Sequence, residues 1–375
     1  MRIKEFQKYL LYSVISFTAL VRIYHNYNWR IWGSDSGEYL YLTRHLIEKG
    51  NMLNENYIGW GRAYPDFQGM QILTGSLSLL TTIEYHDVLM WFIPFVSALS
   101  IPMLFIIGKR IVGFVPALFG AAFYGVTFGV VYANSHPMPG SLAEILGFTF
   151  LYSWIKLLGH AKLLSLNPLK ISPWVIILKI SFLALLLTHH FTLLLLMAAI
   201  LGMLIIEMAA GNTKIGKHGI VGIGLMSLAI SFYWLVYAKS FRKMLNDSAF
   251  EFLPGNIPTL VVLTSIPIIA LALLWSIRKY LKLPTWSENI SHTAYLKRTI
   301  GSFLGMFVVI LLVLWKGVPG TEIPVDFEAT PYLAVNLAIM SLACVPSFVI
   351  SKKNSWLLWG WLLPILSLAA IGAIT

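Results

Sequence analysis

The stretch PWVIILKISFLALLLTHHFTLLLLMAAILGMLIIEMAA, residues 173–210, decides the fold. It carries one lysine, Lys179, and one glutamate, Glu207, within two apolar runs that meet at Thr188-His189-His190. A bilayer core is crossed by about 20 apolar residues. Histidines at the bilayer centre would be costly. The segment therefore reads as two short helices, near 173–188 and 190–210, joined at a membrane surface.

The rest of the chain repeats this pattern. Of 375 residues, 58% are hydrophobic and only 11% charged, and the mean hydropathy is +0.75. Soluble domains are roughly 45–50% apolar and about 25% charged, so a soluble globule is excluded. Further apolar runs fall near 9–25, 88–108, 111–133, 141–159, 219–238, 257–278, 299–316, 331–350 and 355–375. The expected fold is an all-α polytopic transmembrane bundle of about eleven spans, within a range of about 9–12. It is expected to form one membrane domain over 1–375 with no separate soluble domain. The segment MRIKEFQK followed by residues 9–24 has the basic and apolar parts of a signal peptide but no small-x-small cleavage site, and reads as a retained first span.

Lysines and arginines in short loops set orientation. With the N-terminus cytoplasmic, seventeen of the 27 basic residues fall inside, nine outside, and Lys179 within a span. Of the 16 acidic residues, only Glu5, Glu207 and Glu288 fall inside. Carboxylates hardly determine topology, so their concentration on the extracytoplasmic side points to what that side does. The net charge of +11 is spread over short clusters between apolar runs rather than along one stripe, which argues against nucleic acid as a partner. The single cysteine, Cys344, excludes an intramolecular disulfide, a CxxC redox pair and a cysteine-based zinc site. P-loop, GxGxxG and HExxH motifs are absent.

The longest polar stretch, residues 26–87, follows the first span and contains Trp32-Gly33-Ser34-Asp35-Ser36-Gly37-Glu38-Tyr39. Glu38 to Lys49 reads as a helix ended by Gly50, and Phe67 to Ile83 as a second that lies in the interface. Asp35 and Glu38, three apart at a helix start, share a face. A carboxylate there is able to take a proton from a sugar hydroxyl as a general base. The alternative is a capping box, with Asp35 as N-cap and Glu38 at N3.

Asp35 and Glu38 behind the first span, the following Tyr39-Leu40-Tyr41-Leu42-Thr43-Arg44, and Ala63-Tyr64-Pro65-Asp66-Phe67 before a helical stretch resemble the first extracytoplasmic loop of GT-C glycosyltransferases. That superfamily includes protein O-mannosyltransferases, aminoarabinose transferases and oligosaccharyltransferase catalytic subunits. Ser141-Leu142-Ala143-Glu144 and Thr188-His189-His190-Phe191-Thr192 are similar to segments of prokaryotic, especially archaeal, members. The resemblance covers residues 1–210, with 211–375 as variable C-terminal helices. It implies a membrane glycosyltransferase moving a sugar from a polyprenyl-phosphate or dolichyl-phosphate donor to a glycan, lipid or protein acceptor on the extracytoplasmic face, with inversion. Asp35 would be the catalytic base and Glu38 its support. Arg62, Tyr64, His136, Glu144, His189, His190, Lys239, Arg242 and Lys243 would contact substrate, the basic ones facing the leaving phosphate.

These residues also have blander readings. Lys239, Arg242 and Lys243 serve equally well as headgroup-snorkelling side chains, Glu144 as a first-turn acid, and the histidines as interfacial hydrogen-bonding groups. The loop Asn134 to Gly140 lacks the carboxylate with which oligosaccharyltransferases bind a divalent metal, and no Trp-Trp-Asp soluble domain follows. Metal residues are therefore not assigned. A divalent metal stays open as a cofactor, with the acidic loop Glu322, Asp326 and Glu328 the alternative source of ligands. Gly125-x-x-x-Gly129 fits close helix packing. A transporter or lipid flippase, and a noncatalytic subunit of a glycosylation complex, are the competing functions.

Overall fold

The computed structural model describes residues 3–29, 33, 35–51, 57, 59, 61, 63–157, 172–209 and 217–247. All regular structure among them is helical. The apolar runs expected near 257–278, 299–316, 331–350 and 355–375, the acidic loop Glu322 to Glu328, and Arg62 lie outside the described residues. The chain divides into two compact units, Met1–Leu194 with Lys214–Trp275, and Leu195–Thr213 with Ser276–Thr375. The second contributes to the described residues only the later part of α11, given below. All contacts that follow belong to the first unit.

Its first helix, α1 (Ile3–Trp29), presents Leu11, Val14 and Ile15 on one face to a core of Ile101, Phe105, Ala117, Leu118 and Ala121. One turn further on, Thr18 meets α7 (Phe114–Val126) at Gly125. A Cβ on Gly125 would lie 3.2 Å from Thr18 Cγ2 and 3.3 Å from Ile101 Cδ1, and its closest approach, to Thr18 Oγ1, leaves no room at all. The close approach expected of the small-residue spacing occurs at this glycine.

Between these elements the chain forms α2 (Ser36–Lys49), a 3-10 turn (Tyr64–Asp66) and α3 (Gly69–Thr81). Helix α2 ends as its sequence predicts. Gly50 takes the left-handed conformation, φ 71°, and returns its N–H to the Leu46 carbonyl at 2.8 Å. The buried face of α2, Tyr39, Leu42 and Thr43, packs on the buried face of α3, Met70, Gln71, Thr74 and Gly75. Beneath them Tyr39, Met70, Leu89, Ile93 and Leu142 form one core, each side chain contributing about 1.5–3 kcal/mol if its surface leaves water.

Residues Tyr85–Ile111 form one continuous helical run of 27 residues, the only one among the described residues long and apolar enough to cross a membrane by length and composition. It takes in α4 (Tyr85–Asp87), a π-helical turn (Val88–Phe92), α5 (Ile93–Ala98) and all but the last residue of α6 (Ser100–Val112). The run expected over 111–133 is interrupted twice. Gly113, φ 90°, separates α6 from α7, and Thr127, φ −62° and ψ 126°, separates α7 from α8 (Phe128–Ser135). At the second break the Phe123 carbonyl accepts both the Thr127 N–H at 3.0 Å and the Thr127 hydroxyl at 2.8 Å.

Helix α9 (Pro139–Leu157) packs along α10 (Pro173–Thr188). His189 leaves helical geometry, φ −155° and ψ 104°, before α11 (His190–Ala209) begins, so two helices meet where the histidines stand. Helix α12 (Lys217–Phe232) runs into a π-helical turn (Tyr233–Tyr237) and then α13 (Lys239–Asp247).

Candidate active site

Asp35 occupies the N-cap position of α2, yet its side chain makes no cap hydrogen bond. The capping-box alternative is thus not what its carboxylate does. Oδ2 instead accepts a short hydrogen bond from the Tyr64 hydroxyl and lies 3.4 Å from that of Tyr39. Tyr39 stands one turn along α2 from Asp35, and the 3-10 turn brings in Tyr64. The two rings pack at 5.0 Å between centroids.

Three backbone hydrogen bonds hold that turn, Tyr64 N–H to Gly61 (2.8 Å), Asp66 N–H to Ala63 (3.0 Å) and Phe67 N–H to Tyr64 (3.1 Å). Pro65 fixes one φ and brings no amide hydrogen that would need a partner. Burial pushes both phenols up from their ordinary range, and for Tyr64 the hydrogen bond to Asp35 pushes the same way. Both therefore stay protonated donors at neutral pH.

Glu38, half-buried one turn along α2, lies against Gly59. A Cβ there would fall onto Glu38 Oε2 and the Tyr57 hydroxyl. On the other side stands His136, 2% exposed. A Cβ on Gly33 would lie 2.5 Å from His136 Cδ2, and Gly33 has φ 105°. The loop between α8 and α9 thus abuts the chain two residues before Asp35, and Asp35, Glu38, Tyr64 and His136 belong to one neighbourhood. Tyr39, which pattern reading did not single out, joins them. Its signal was available, four positions after Asp35 and on the same helix face.

The 3-10 turn also faces α13. Asp66, 3% exposed, accepts the Phe241 N–H at 2.8 Å, and its carbonyl accepts the Tyr233 hydroxyl. A carboxylate from elsewhere in the chain therefore caps the N-terminus of the helix bearing Lys239, Arg242 and Lys243. Lys239 and Lys243 are exposed. The Arg242 guanidinium donates to the Leu235 carbonyl at 2.6 Å and so closes the preceding π turn. Phe67 packs its ring 4.6 Å from His190 and 5.2 Å from Phe241. The neighbouring His189 turns Nδ1 to the first turn of α11, 2.7 Å from Thr192 Oγ1 and 3.3 Å from Thr192 N. The two histidines thus serve different partners.

Glu144 is not part of this group. It sits in α9, 3.7 Å from Nη2 of the fully buried Arg22 of α1. Asn134 donates to its other oxygen. Arg22 Nη1 donates to Ser97 Oγ at 2.9 Å, and Asn26 donates to the Met90 carbonyl at 2.5 Å. Arg22 was legible only as a basic residue at the end of an apolar run.

At the far ends of the helices the basic residues sit on aromatic faces. Lys156 lies over Tyr152 and over Trp174, near the start of α10 (5.3 and 5.6 Å), and Lys109 over Phe105 and Phe114 (6.0 and 5.6 Å). Among the described residues no three His, Cys, Asp or Glu converge in a way that would hold a metal ion. A scan against protein-family profiles finds no match, and a search of curated proteins finds no significant relative.

Proposed function

We propose that this chain is a multi-pass membrane glycosyltransferase of the GT-C kind, with its active site on the extracytoplasmic face. One observation carries the reading. Asp35, at a helix start where it would ordinarily cap, leaves the α2 amides uncapped and is held instead by two tyrosine hydroxyls, Tyr39 of α2 and Tyr64 of the 3-10 turn. A carboxylate fixed by neutral donors is a base of defined direction. Its proposed step is removal of the acceptor hydroxyl's proton as that oxygen attacks the anomeric carbon and the bond to the lipid phosphate breaks. Glu38 supports it from the same helix face. The phosphate leaves towards α13, where Lys239, Arg242 and Lys243 supply positive charge and Asp66 fixes the helix beside the Tyr64 turn.

The membrane reading draws support from the direction of the helices. The Asp35 neighbourhood collects the C-terminal end of α1, the N-terminal end of α9 and, through Gly69 against Thr188, the C-terminal end of α10. Lys109 and Lys156 mark opposite helix ends, as a cytoplasmic basic boundary requires. The apolar side chains Ile176, Ile180, Leu183, Leu228 and Phe232 are exposed, at 50–67%, which suits lipid as solvent.

The test is transfer of a radiolabelled sugar from polyprenyl-phosphate donors by the full chain in nanodiscs. Asp35→Asn is expected to lower the rate about 100- to 10,000-fold. Unchanged transfer by folded Asp35→Asn protein would remove the catalytic assignment. The buried Arg22–Glu144 pair favours a second reading, a transporter or flippase, since ionisable pairs inside helix bundles mark translocation paths. Lipid flux abolished by Glu144→Gln, with no sugar transfer from any donor, would decide for it.

A further inference from the structure

Helices α10 and α12 line one apolar cavity between them, although Phe182 of α10 also packs on Phe150 of α9. Val175, Leu178, Lys179 and Phe182 form one face of α10, and Gly222, Leu225 and Met226 one face of α12. Their spacings, i, i+3, i+4 and i+7 on α10 and i, i+3 and i+4 on α12, each trace a single helical stripe. Between the stripes lies a cavity of about 120 Å³. Gly222 contributes no side chain to it, and Lys179 is the only charged residue in its wall.

We propose that this groove holds an acyl chain of an anionic phospholipid from the cytoplasmic leaflet, with Lys179 on the lipid phosphate. The inference rests on the membrane orientation proposed above, but not on catalysis. Lys179 is exposed and lies six residues after Pro173, the cytoplasmic end of α10, a rise of about 9 Å. Side chains on a helix tilt towards its N-terminus. The lysine stem therefore runs along the apolar wall towards the cytoplasmic surface and delivers its ammonium at headgroup level. The cytoplasmic leaflet is the one rich in anionic lipid, and an apolar cavity of about 120 Å³ with a single cation in its wall suits one phosphate and a segment of one chain. Neither Asp35 nor any residue placed in its neighbourhood lines the groove.

The experiment reconstitutes the full chain in vesicles of equal phosphatidylglycerol and phosphatidylcholine, releases it in mild detergent, and counts retained lipids by native mass spectrometry. The wild-type chain is expected to retain phosphatidylglycerol over phosphatidylcholine. Lys179→Ala should lose about fivefold in that preference, Lys179→Arg should keep it, and Gly222→Leu, which fills the groove, should lower retention of phosphatidylglycerol. Asp35→Ala should bind lipid as wild type does, so a failed sugar-transfer assay leaves this result intact. Equal retention of the two lipids by the wild type, or an undiminished preference in folded Lys179→Ala protein, would overturn the proposal. Failure of the chain to enter vesicles at all would instead overturn the membrane reading and this site with it.

Discussion

The Tyr64 hydroxyl donates to Oδ2 of Asp35 across 29 residues of sequence, so a turn in the polar loop joins Tyr39, one turn along the helix that Asp35 begins, in holding this carboxylate. Tyr64→Phe removes the donor and keeps the ring that packs on Tyr39. A hydrogen bond to a charged group is worth about 1.5–3 kcal/mol, which corresponds to roughly a 10- to 100-fold loss. The expected outcome is that loss in kcat for sugar transfer, with a melting temperature close to wild type. A loss confined to stability would mean that the contact only holds the loop together.

Gly33 and Gly50 both have positive φ, 105° and 71°, but only one faces the site. An added methyl on Gly50 meets nothing within 4 Å, whereas on Gly33 it meets the His136 ring. Alanine at either position strains the backbone by about 1–3 kcal/mol. Gly50→Ala should therefore cost stability alone. Gly33→Ala should also displace His136 and lower transfer activity, a split visible by assaying both variants well below their melting temperatures.

How far the sequence anticipates these arrangements depends on the range of the interaction. Helix α2 and its end at Gly50 were legible because a cap glycine acts within one turn, and the break at His189 because a polar pair in an apolar run has few places to go. The break at Thr127 was not legible. Residues 111–133 read as one apolar run, and nothing in that pattern shows where the chain leaves helical geometry at Thr127. For Asp35 the spacing to Glu38 fits a cap and a catalytic pair equally well. The choice between them lies in Tyr64, and a contact so distant in sequence leaves no periodic trace. The same holds for Asp66, which the sequence shows only as part of the Tyr-Pro segment before α3 although it caps α13.

Burial raises the Asp66 carboxyl above its ordinary value of 3.8, while the amide hydrogens of Phe241 and Ser240 pull it back without cancelling the effect. An acid whose pKa is higher in the folded chain stabilises the fold fully below its unfolded pKa, and that contribution is lost as pH rises through the folded value. Asp66→Asn cannot titrate but keeps an acceptor for Phe241 N–H. The melting temperature of wild type relative to Asp66→Asn should therefore fall as pH rises from below 3.8. Thermal melts of both chains in one detergent over that range check this, and a difference that stays flat or rises with pH would show that the capping hydrogen bonds outweigh burial.

Arg22 and Glu144 pose the opposite problem, a charge with too few partners. Arg22 is 0% exposed, and Nε has no hydrogen-bond partner. Its Nη2 reaches Glu144 only at 3.7 Å. Removing one member of a buried pair strands the other charge and costs about 3–5 kcal/mol, whereas replacing both with apolar groups is often neutral or stabilising. Glu144→Leu and Arg22→Met should each lower the melting temperature sharply, and the double variant should recover most of the loss. If Glu144 contacted substrate instead, Glu144→Leu would abolish transfer while leaving stability intact, and pairing it with Arg22→Met would restore nothing. Melting curves and transfer rates on the same three preparations separate the two roles, because only a structural pair couples in stability.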